Sequence, residues 1–425
     1  MVASDRAESP DGLAWRLLIL VAFCFPCDGL AQNDDRRASS YEEAFRDLHE
    51  TLGREYAFFE LKGIDWAAVG REMLPRASSI KDDDEFGLLC TELVARLEDS
   101  HAEVGAGSRE PPAPPLPRYD PGFACLIDDH GFPVVYYVDK DGPAGKAGLT
   151  AGATVISIDG KPAEEALAET MRQVRKYVGY SSERYLRYHA AQWIARKMRK
   201  GEIVVAEVQA TDGRKTTLKM PAEMDVRYLP RLPVEIPGID DSASVAWTRL
   251  EDGIGYLRVR RIGEDLEACL DRAVGELKDV RGLVVDVRGN SGGGYDEKRA
   301  HRNFSLTDDA EPDRPRFRGP IALLLDPRCI SAGEGWASWF VAQKRARAFG
   351  EATAGASARK TTYTLKNGLY TVRFAGKAYR GSLDRPIERR GVEPDVPLRQ
   401  TVADLVARRD TVLEAARAHL LEQGK

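Results

Sequence analysis

A chain of 425 residues has room for about three domains, and an apolar share of 43% is that of a globular protein with a sizeable core. The 62 basic and 67 acidic residues nearly balance, and no basic stripe interleaved with aromatics stands out, which argues against a nucleic-acid partner. Among the 6 cysteines, Cys90, Cys125, Cys269 and Cys329 sit in apolar surroundings without paired spacing, so they read as core thiols rather than a disulfide framework or a metal site. No metal and no cofactor is called for.

In chain order, the apolar run Leu17–Phe25 follows Arg16 and ends near Gly29-Leu-Ala31, before a polar stretch. It reads as a signal peptide over residues 1–31, too short to span a membrane, and for a bacterial source implies a periplasmic or secreted protein. Asp5, Glu8 and Asp11 precede the run where positive charge is usual, so a downstream start or an uncleaved membrane anchor is the competing reading. Cys24 and Cys27 lie here without a convincing lipidation signal.

Residues 38–110 place Phe45, Leu48 and Leu52, then Phe86, Leu89, Leu93 and Leu97, at helical spacing, which predicts a small helical domain running up to His101. The segment Pro111–Pro117 is a stiff proline linker. Within residues 118–224 the pattern predicts a long helix from Glu164 to Lys200, then strands Ile203–Ala210 and Thr216–Met220. Residues 225–425 alternate strands (Gly255–Val259, Leu283–Val287, Ile321–Leu325) with helices (Leu266–Leu277, Gly335–Lys344), the signal of an α/β domain.

Two motifs in this last part carry chemistry. In Asp326-Pro-Arg-Cys-Ile-Ser331-Ala-Gly-Glu334 a serine lies between a strand and a helix start, where backbone N–H groups point at whatever its hydroxyl attacks. The same residues fit a capping box, with Ser331 as N-cap and Glu334 charging the helix start. Cys329 is a rival nucleophile, but its place near a strand end favours packing. In Gly282-Leu-Val-Val-Asp286-Val-Arg288-Gly-Asn290-Ser-Gly-Gly-Gly294-Tyr295 a strand runs into consecutive glycines able to offer N–H groups to an anion. No Lys-Ser/Thr pair follows, so this is no P-loop. Asp286 and Arg288 read as residues that position the loop.

Together, strand-Asp-x-Arg-x-Asn-x-Gly-Gly and the later strand-x-Ser-Ala-x-Glu resemble the C-terminal-processing (tail-specific) serine peptidase family, which includes the tricorn core protease and the interphotoreceptor retinoid-binding modules. Asp141-Gly-Pro-Ala-Gly to Gly160 resembles the PDZ modules of bacterial proteases. Gly63-Ile-Asp65-Trp66, Leu97-Glu-Asp99-Ser100-His101 and Pro386-Ile-Glu388-Arg-Arg-Gly391-Val392-Glu-Pro394-Asp395 resemble the tricorn-like branch. The resemblance implies an α/β multidomain protein: a Clp-protease/crotonase-like core over 225–425, an N-terminal helical domain over 38–110 and a PDZ-like domain over 118–224.

It also implies a machinery. The Ser-Lys type of this family has lysine in Gly-Glu-x-Thr-x-Gly-Lys, whereas this chain has Gly350-Glu351-Ala-Thr353-Ala-Gly355-Ala356. Lys360, four residues on in a polar run, is not placed by that motif. The tricorn-like arrangement fits instead: Ser331 as nucleophile, His101 as general base, Glu388 orienting His101, and Ser100 completing the set by hydrogen bonding. Gly292 or Gly293 with Ala332 would supply the oxyanion N–H groups. Without the family, His101 reads as a helix C-terminal histidine and Glu388 as a partner of Arg389 or Arg390. Gly122 and Phe123 resemble the loop with which PDZ domains capture a peptide carboxylate. The expected function is therefore an exported peptidase acting on polypeptides through an acyl-enzyme, binding their C-terminal tails, and the resemblance to tricorn leaves a homo-oligomer open. The alternative is a non-catalytic peptide- or apolar-ligand-binding module on the same fold.

Overall fold

The computed structural model describes residues 28–225, 232–294, 306 and 315–423. The expected signal peptide lies outside these residues except for its last positions, where α1 begins. The apolar spacing of the first part forms α1 (Asp28–Glu55), α2 (Phe59–Lys62), α3 (Trp66–Met73) and α4 (Asp83–Ala95), and the chain then enters strand β1 (Glu103–Ala106). Asp65 and Asp82 cap α3 and α4 by accepting from the N–H groups of Ala68 and Glu85 at 2.9 and 2.8 Å. Phe45, Leu48, Leu89 and Leu93 share one core, each such side chain contributing about 1.5–3 kcal/mol by leaving water. The helices do not close that core alone: Tyr370, Val372 and Phe374, far along the chain, complete it.

Next come β2 (Tyr119–Asp120), β3 (Phe123–Ile127), β4 (Pro133–Val138), α5 (Pro143–Lys146), β5 (Thr154–Ile158), β6 (Lys161–Pro162), α6 (Ala163–Arg175), α7 (Glu183–Trp193), β7 (Ile203–Gln209), β8 (Lys215–Pro221) and β9 (Met224–Asp225). Strands β3-β4-β5-β7-β8 form an antiparallel sheet, and α6 and α7 cover it. The single helix expected from Glu164 to Lys200 is in fact α6 and α7. The break has two causes. A Cβ at Gly179 would lie 2.7 Å from the carbonyl oxygen of Asp99, so the chain there is drawn against the loop before His101. Ser182 then caps α7 by accepting from the Tyr185 N–H.

The last part holds β10 (Val245–Arg249), β11 (Gly255–Val259), α8 (Leu266–Glu276), β12 (Leu283–Asp286), β13 (Ile321–Leu325), α9 (Ala332–Ala342), β14 (Ala346–Gly350), β15 (Ala358–Thr364), β16 (Tyr370–Ala378), β17 (Val396–Pro397), α10 (Val402–Val406) and α11 (Thr411–Gln423). The sheet order is β10-β11-β12-β13-β14-β17, parallel except for the β10 edge. Leu257, Val285 and Leu323 pack with residues of α8 and α9, while Tyr256, Val284 and Leu324 pack with Leu413 and Leu420 of α11. Both faces are covered, which is why these strands read as unbroken apolar runs. Helix α9 starts at Ala332, three residues before its predicted start at Gly335. Strands β15 and β16 leave this body and pair with β1 in the order β1-β16-β15, carrying the face that completes the helical core. No helix among the described residues is long and apolar enough to cross a membrane.

Candidate active site

The turn from β13 to α9 ends at Ser331, whose backbone adopts φ 57° and ψ −124°. Residues with a side chain rarely take this conformation, and it persists only where the surroundings hold it. Here they do. The Ser331 N–H donates to the Ala356 carbonyl at 2.9 Å and to Glu334 Oε2 at 3.2 Å. Glu334 is fully buried and also accepts from Thr353 Oγ1 at 2.6 Å, the Gly355 N–H at 2.7 Å, the Ala356 N–H at 2.9 Å and Ser357 Oγ at 2.8 Å. Burial pushes its carboxyl up against the pull of those donors. Glu334 thus does more than charge a helix start: it fastens the Thr353–Ser357 loop beneath the serine.

The glycine loop follows β12, at the carboxyl end of a parallel strand, the same end at which β13 delivers Ser331. A Cβ on Gly292 would lie 2.8 Å from Ser331 Cβ and 3.3 Å from its Oγ, so only glycine lets the loop approach so closely. The N–H of Gly292 is already used, donating to Asn290 Oδ1 at 2.8 Å. Gly293 pairs with Ile262 through its neighbours: Ile262 N–H donates to Gly292 O at 2.9 Å, and Gly294 N–H to Ile262 O at 3.0 Å. That pattern turns the Gly293 N–H away from Ile262, and it has no partner among the described residues. The Ala332 N–H, in the first turn of α9, has none either.

Below the loop, Asp286 and Arg288 form a buried pair at 2.6 Å that Asp410 joins at 2.7 Å. Tyr256 donates to Asp286 at 2.6 Å. Burial works to raise the Asp286 carboxyl, but Arg288 and Arg258 outweigh it and hold it at about 2. Both residues support the loop from beneath, as read from the sequence.

His101 lies in the turn between α4 and β1 and is 9% exposed. Its backbone N–H donates to Asp99 Oδ1 at 2.8 Å, while its ring Nδ1 is buried without a hydrogen-bond partner among the described residues. Burial lowers the ring's basicity; the charge of Asp99 opposes this, and Lys360, Arg373 and Lys62 add to it. A neutral imidazole at neutral pH is the form a general base needs. No hydrogen bond joins His101 to Ser331 among the described residues. What ties their loops together is a strap from the PDZ-like part. Ser100 N–H donates to Ser181 Oγ at 3.0 Å and Ser181 N–H to Ser100 Oγ at 2.9 Å. Ser182 Oγ donates to the Ala354 carbonyl, and Arg184 Nε to the Thr353 carbonyl at 2.7 Å.

Glu388 is buried, but its Oε1 lies 2.7 Å from Lys62 Nζ, and its Oε2 accepts from the Ser357 N–H at 3.2 Å. No hydrogen bond between Glu388 and His101 is formed among the described residues; the carboxylate that accepts from the histidine's backbone is Asp99. Burial first, then Asp99, pushes the Glu388 carboxyl up against the pull of Lys62 and Ser181. Nor does Glu388 pair with Arg389 or Arg390, which turn to backbone and to Glu393. Ala356, at the dyad-lysine position, is fully buried, and Lys360 stands exposed on β15. The Cys329 thiol is buried and pushed well above its usual range by burial first and then by Glu334, which fits packing. In the PDZ-like part, Phe123 is buried and the Gly122 N–H donates to Asp120 Oδ1 at 2.8 Å.

Sequence reasoning passed over Lys62, Asp99 and Ser181. Asp99 had a signal in its spacing, two residues before His101. Lys62 and Ser181 had none, because each reaches the site only through the fold.

Residues 253–398 match peptidase family S41, residues 37–95 the tricorn protease C1 domain and residues 134–181 a PDZ domain. The putative tricorn protease homolog 2 of Streptomyces coelicolor is 24% identical over 376 residues, covering 83% of this chain but 30% of the relative, so the chain spans under a third of that protein. The chloroplastic carboxyl-terminal-processing peptidase 2 of Arabidopsis thaliana is 23% identical over 376 residues, covering 83% of this chain and 68% of the relative. In fold the chain is similar to mature CPAF, with TM-score 0.66, 13% identity, and 90% of this chain and 96% of that one covered. A putative peptidase from Parabacteroides merdae aligns at TM-score 0.51 and 17% identity, covering 90% and 97%. The chain is thus similar to peptidase family S41 over residues 253–398, and its matches to the tricorn protease C1 domain and to a PDZ domain lie ahead of that segment.

Proposed function

We propose that this chain hydrolyses polypeptides through an acyl-enzyme on Ser331, with His101 as its base. The observation that carries this reading is the strained backbone of Ser331, against which the glycine loop packs at Gly292, with the N–H groups of Gly293 and Ala332 unpartnered among the described residues. Strain of this kind gathers at functional sites, and a structural N-cap has no need of it. In the reaction Ser331 Oγ attacks the peptide carbonyl carbon while its proton passes to His101. The carbonyl oxygen becomes an oxyanion facing the two N–H groups. His101 then returns the proton to the leaving amine, and water repeats the sequence on the ester. Substrate binding would have to draw His101 onto Ser331, since catalytic hydrogen bonds often tighten only in the complex. Glu388 supports the base through Ser181, whose backbone and hydroxyl hold Ser100.

The PDZ domain supports a polypeptide substrate, and we propose that it takes the C-terminal tail. The apolar run Leu17–Phe25 supports export. N-terminal sequencing of the mature protein tests that part, since an intact residue 1 in the cytoplasmic fraction would exclude it.

The chemistry is tested by labelling wild type, Ser331→Ala and His101→Ala with a fluorophosphonate, followed by mass spectrometry of the labelled peptide. An adduct on Ser331 that both variants lose is the expected result. A folded wild type that neither labels nor cleaves a polypeptide would favour a binding module instead.

A further inference from the structure

We propose that Lys62 is a positioning residue of the catalytic set: its ammonium ties Glu388 to the turn that carries His101 and so holds the base in place against the serine loop. This rests on the peptidase reading above and adds to it a residue that touches no reacting atom. Lys62 ends α2, and its side chain is 1% exposed. A lysine is almost never buried so far unless its charge is answered. Here four oxygens surround it. Nζ donates to the Glu98 carbonyl at 2.6 Å, to Tyr56 Oη at 2.8 Å and to the Leu97 carbonyl at 3.3 Å, and it pairs with Glu388 Oε1 at 2.7 Å. An ammonium has three N–H groups to give, so nothing is left over for a substrate.

Two of those oxygens belong to the short stretch between α4 and His101. Glu98 takes φ 49° there, which residues with a side chain rarely adopt and which lasts only where its surroundings hold it. The Lys62 ammonium on its carbonyl is such a hold. The other end of the pair leads to the nucleophile. Glu388 Oε2 accepts from the Ser357 N–H at 3.2 Å, and Ser357 Oγ lies 3.1 Å from the Ser331 carbonyl oxygen. One line of contacts thus runs from the strained Glu98 through Lys62, Glu388 and Ser357 to the strained Ser331. It joins the N-terminal helices to the α/β body. Burial and then Asp99 push the Glu388 carboxyl up, and Lys62 is the first of the groups that hold it down. A buried ion pair adds little stability that apolar side chains of the same volume would not, so the use assigned to it here is to fix one arrangement of base turn and serine loop.

The test measures fluorophosphonate labelling of the full chain, as a maximal rate and a half-saturating probe concentration. Wild type, Lys62→Met, Glu388→Gln and the double variant are compared, each shown folded by its thermal transition. Lys62→Met should lower the maximal rate roughly 10²-fold and leave the half-saturating concentration within about twofold, because the serine and its N–H groups stay in place while the base is displaced. On the Glu388→Gln background the same change should cost less than about tenfold, since part of its effect passes through Glu388. An undiminished maximal rate in folded Lys62→Met, or a full repeat of its loss on the Glu388→Gln background, overturns the proposal. Hydrogen exchange followed by mass spectrometry reads the same link without any activity. Loss of Lys62 should speed exchange roughly tenfold in peptides spanning residues 96–104 and 353–359, and leave residues 255–259 of β11 as in wild type. A uniform change in all three, or wild-type exchange at 353–359, overturns it, because Glu388 is what links that loop to Lys62. If Lys62→Met does not fold, Lys62→Gln, which keeps a donor for the turn, is read in the same way. Should wild type fail to label, the peptidase reading fails, and the exchange result by itself supports or overturns the link.

Discussion

The ammonium of Lys62 stands 2.7 Å from Oε1 of Glu388, with 1% and 0% of the two side chains exposed. One residue comes from the N-terminal helices and the other from the loop after β16. A buried pair is weak proof of stability, but removing one partner strands the other charge in a dry site. Lys62→Met should therefore cost about 3–5 kcal/mol in urea denaturation. The double variant Lys62→Met/Glu388→Gln should recover part of the loss, and a single variant as stable as wild type would show that water reaches the pair.

Ser331 bears its side chain at φ 57°. Glycine relieves that strain, so Ser331→Gly should raise stability by about 1 kcal/mol while abolishing labelling. Ser331→Ala should abolish labelling without the gain. A thermal or urea comparison of the two separates strain held at the site from ordinary capping.

A methyl group at Gly292 would meet Ser331 Cβ at 2.8 Å. Gly292→Ala is expected to push the loop and the serine apart, at about 1–3 kcal/mol in stability, with labelling largely lost. Gly294→Ala is the control, because a Cβ there meets open space. It should label as wild type does.

Glu334 collects donors from Thr353, Gly355, Ala356 and Ser357. Glu334→Ala leaves these buried groups unsatisfied, each at about 1–3 kcal/mol less whatever water returns. The expected outcome is a drop in denaturation midpoint large enough to threaten folding, with no labelling. A variant that keeps both would mean that the Thr353–Ser357 loop is held by other contacts.

His189 on α7 is half-buried against Tyr180 and Trp193, and desolvation first, then Arg196, lowers its pKa to about 4. Above the unfolded value the ring is neutral in both states and nothing is lost. As pH falls below it, the unfolded chain binds a proton that the folded one refuses, so stability declines until the folded value is reached. Between pH 7 and pH 5 the loss should be on the order of 2 kcal/mol. His189→Gln should flatten that part of the curve in urea titrations, and an unchanged slope would assign the pH dependence to other groups such as His101.

Much of the architecture was legible because its signals are local. Unbroken apolar runs marked β11, β12 and β13, since a strand covered on both faces has no polar side to show. Helical spacing marked α1 and α4 for the same kind of reason. The glycine loop and the strand–Ser–helix turn were legible because positive φ and close approach restrict residue choice at single positions.

The chain by itself thus determined the strands, the helices, the glycine loop and the serine turn, whose requirements are met by neighbours in sequence. Only the tertiary structure decided which groups meet. It split the Glu164–Lys200 pattern to press Gly179 against Asp99, sent β16 to close the helical core and set Lys62 on Glu388. It also spent the Gly292 N–H on Asn290, leaving that of Gly293. Each of these choices is a contact between segments distant in sequence, made because a buried charge, N–H or apolar face must find a partner, and no local pattern records which one it finds.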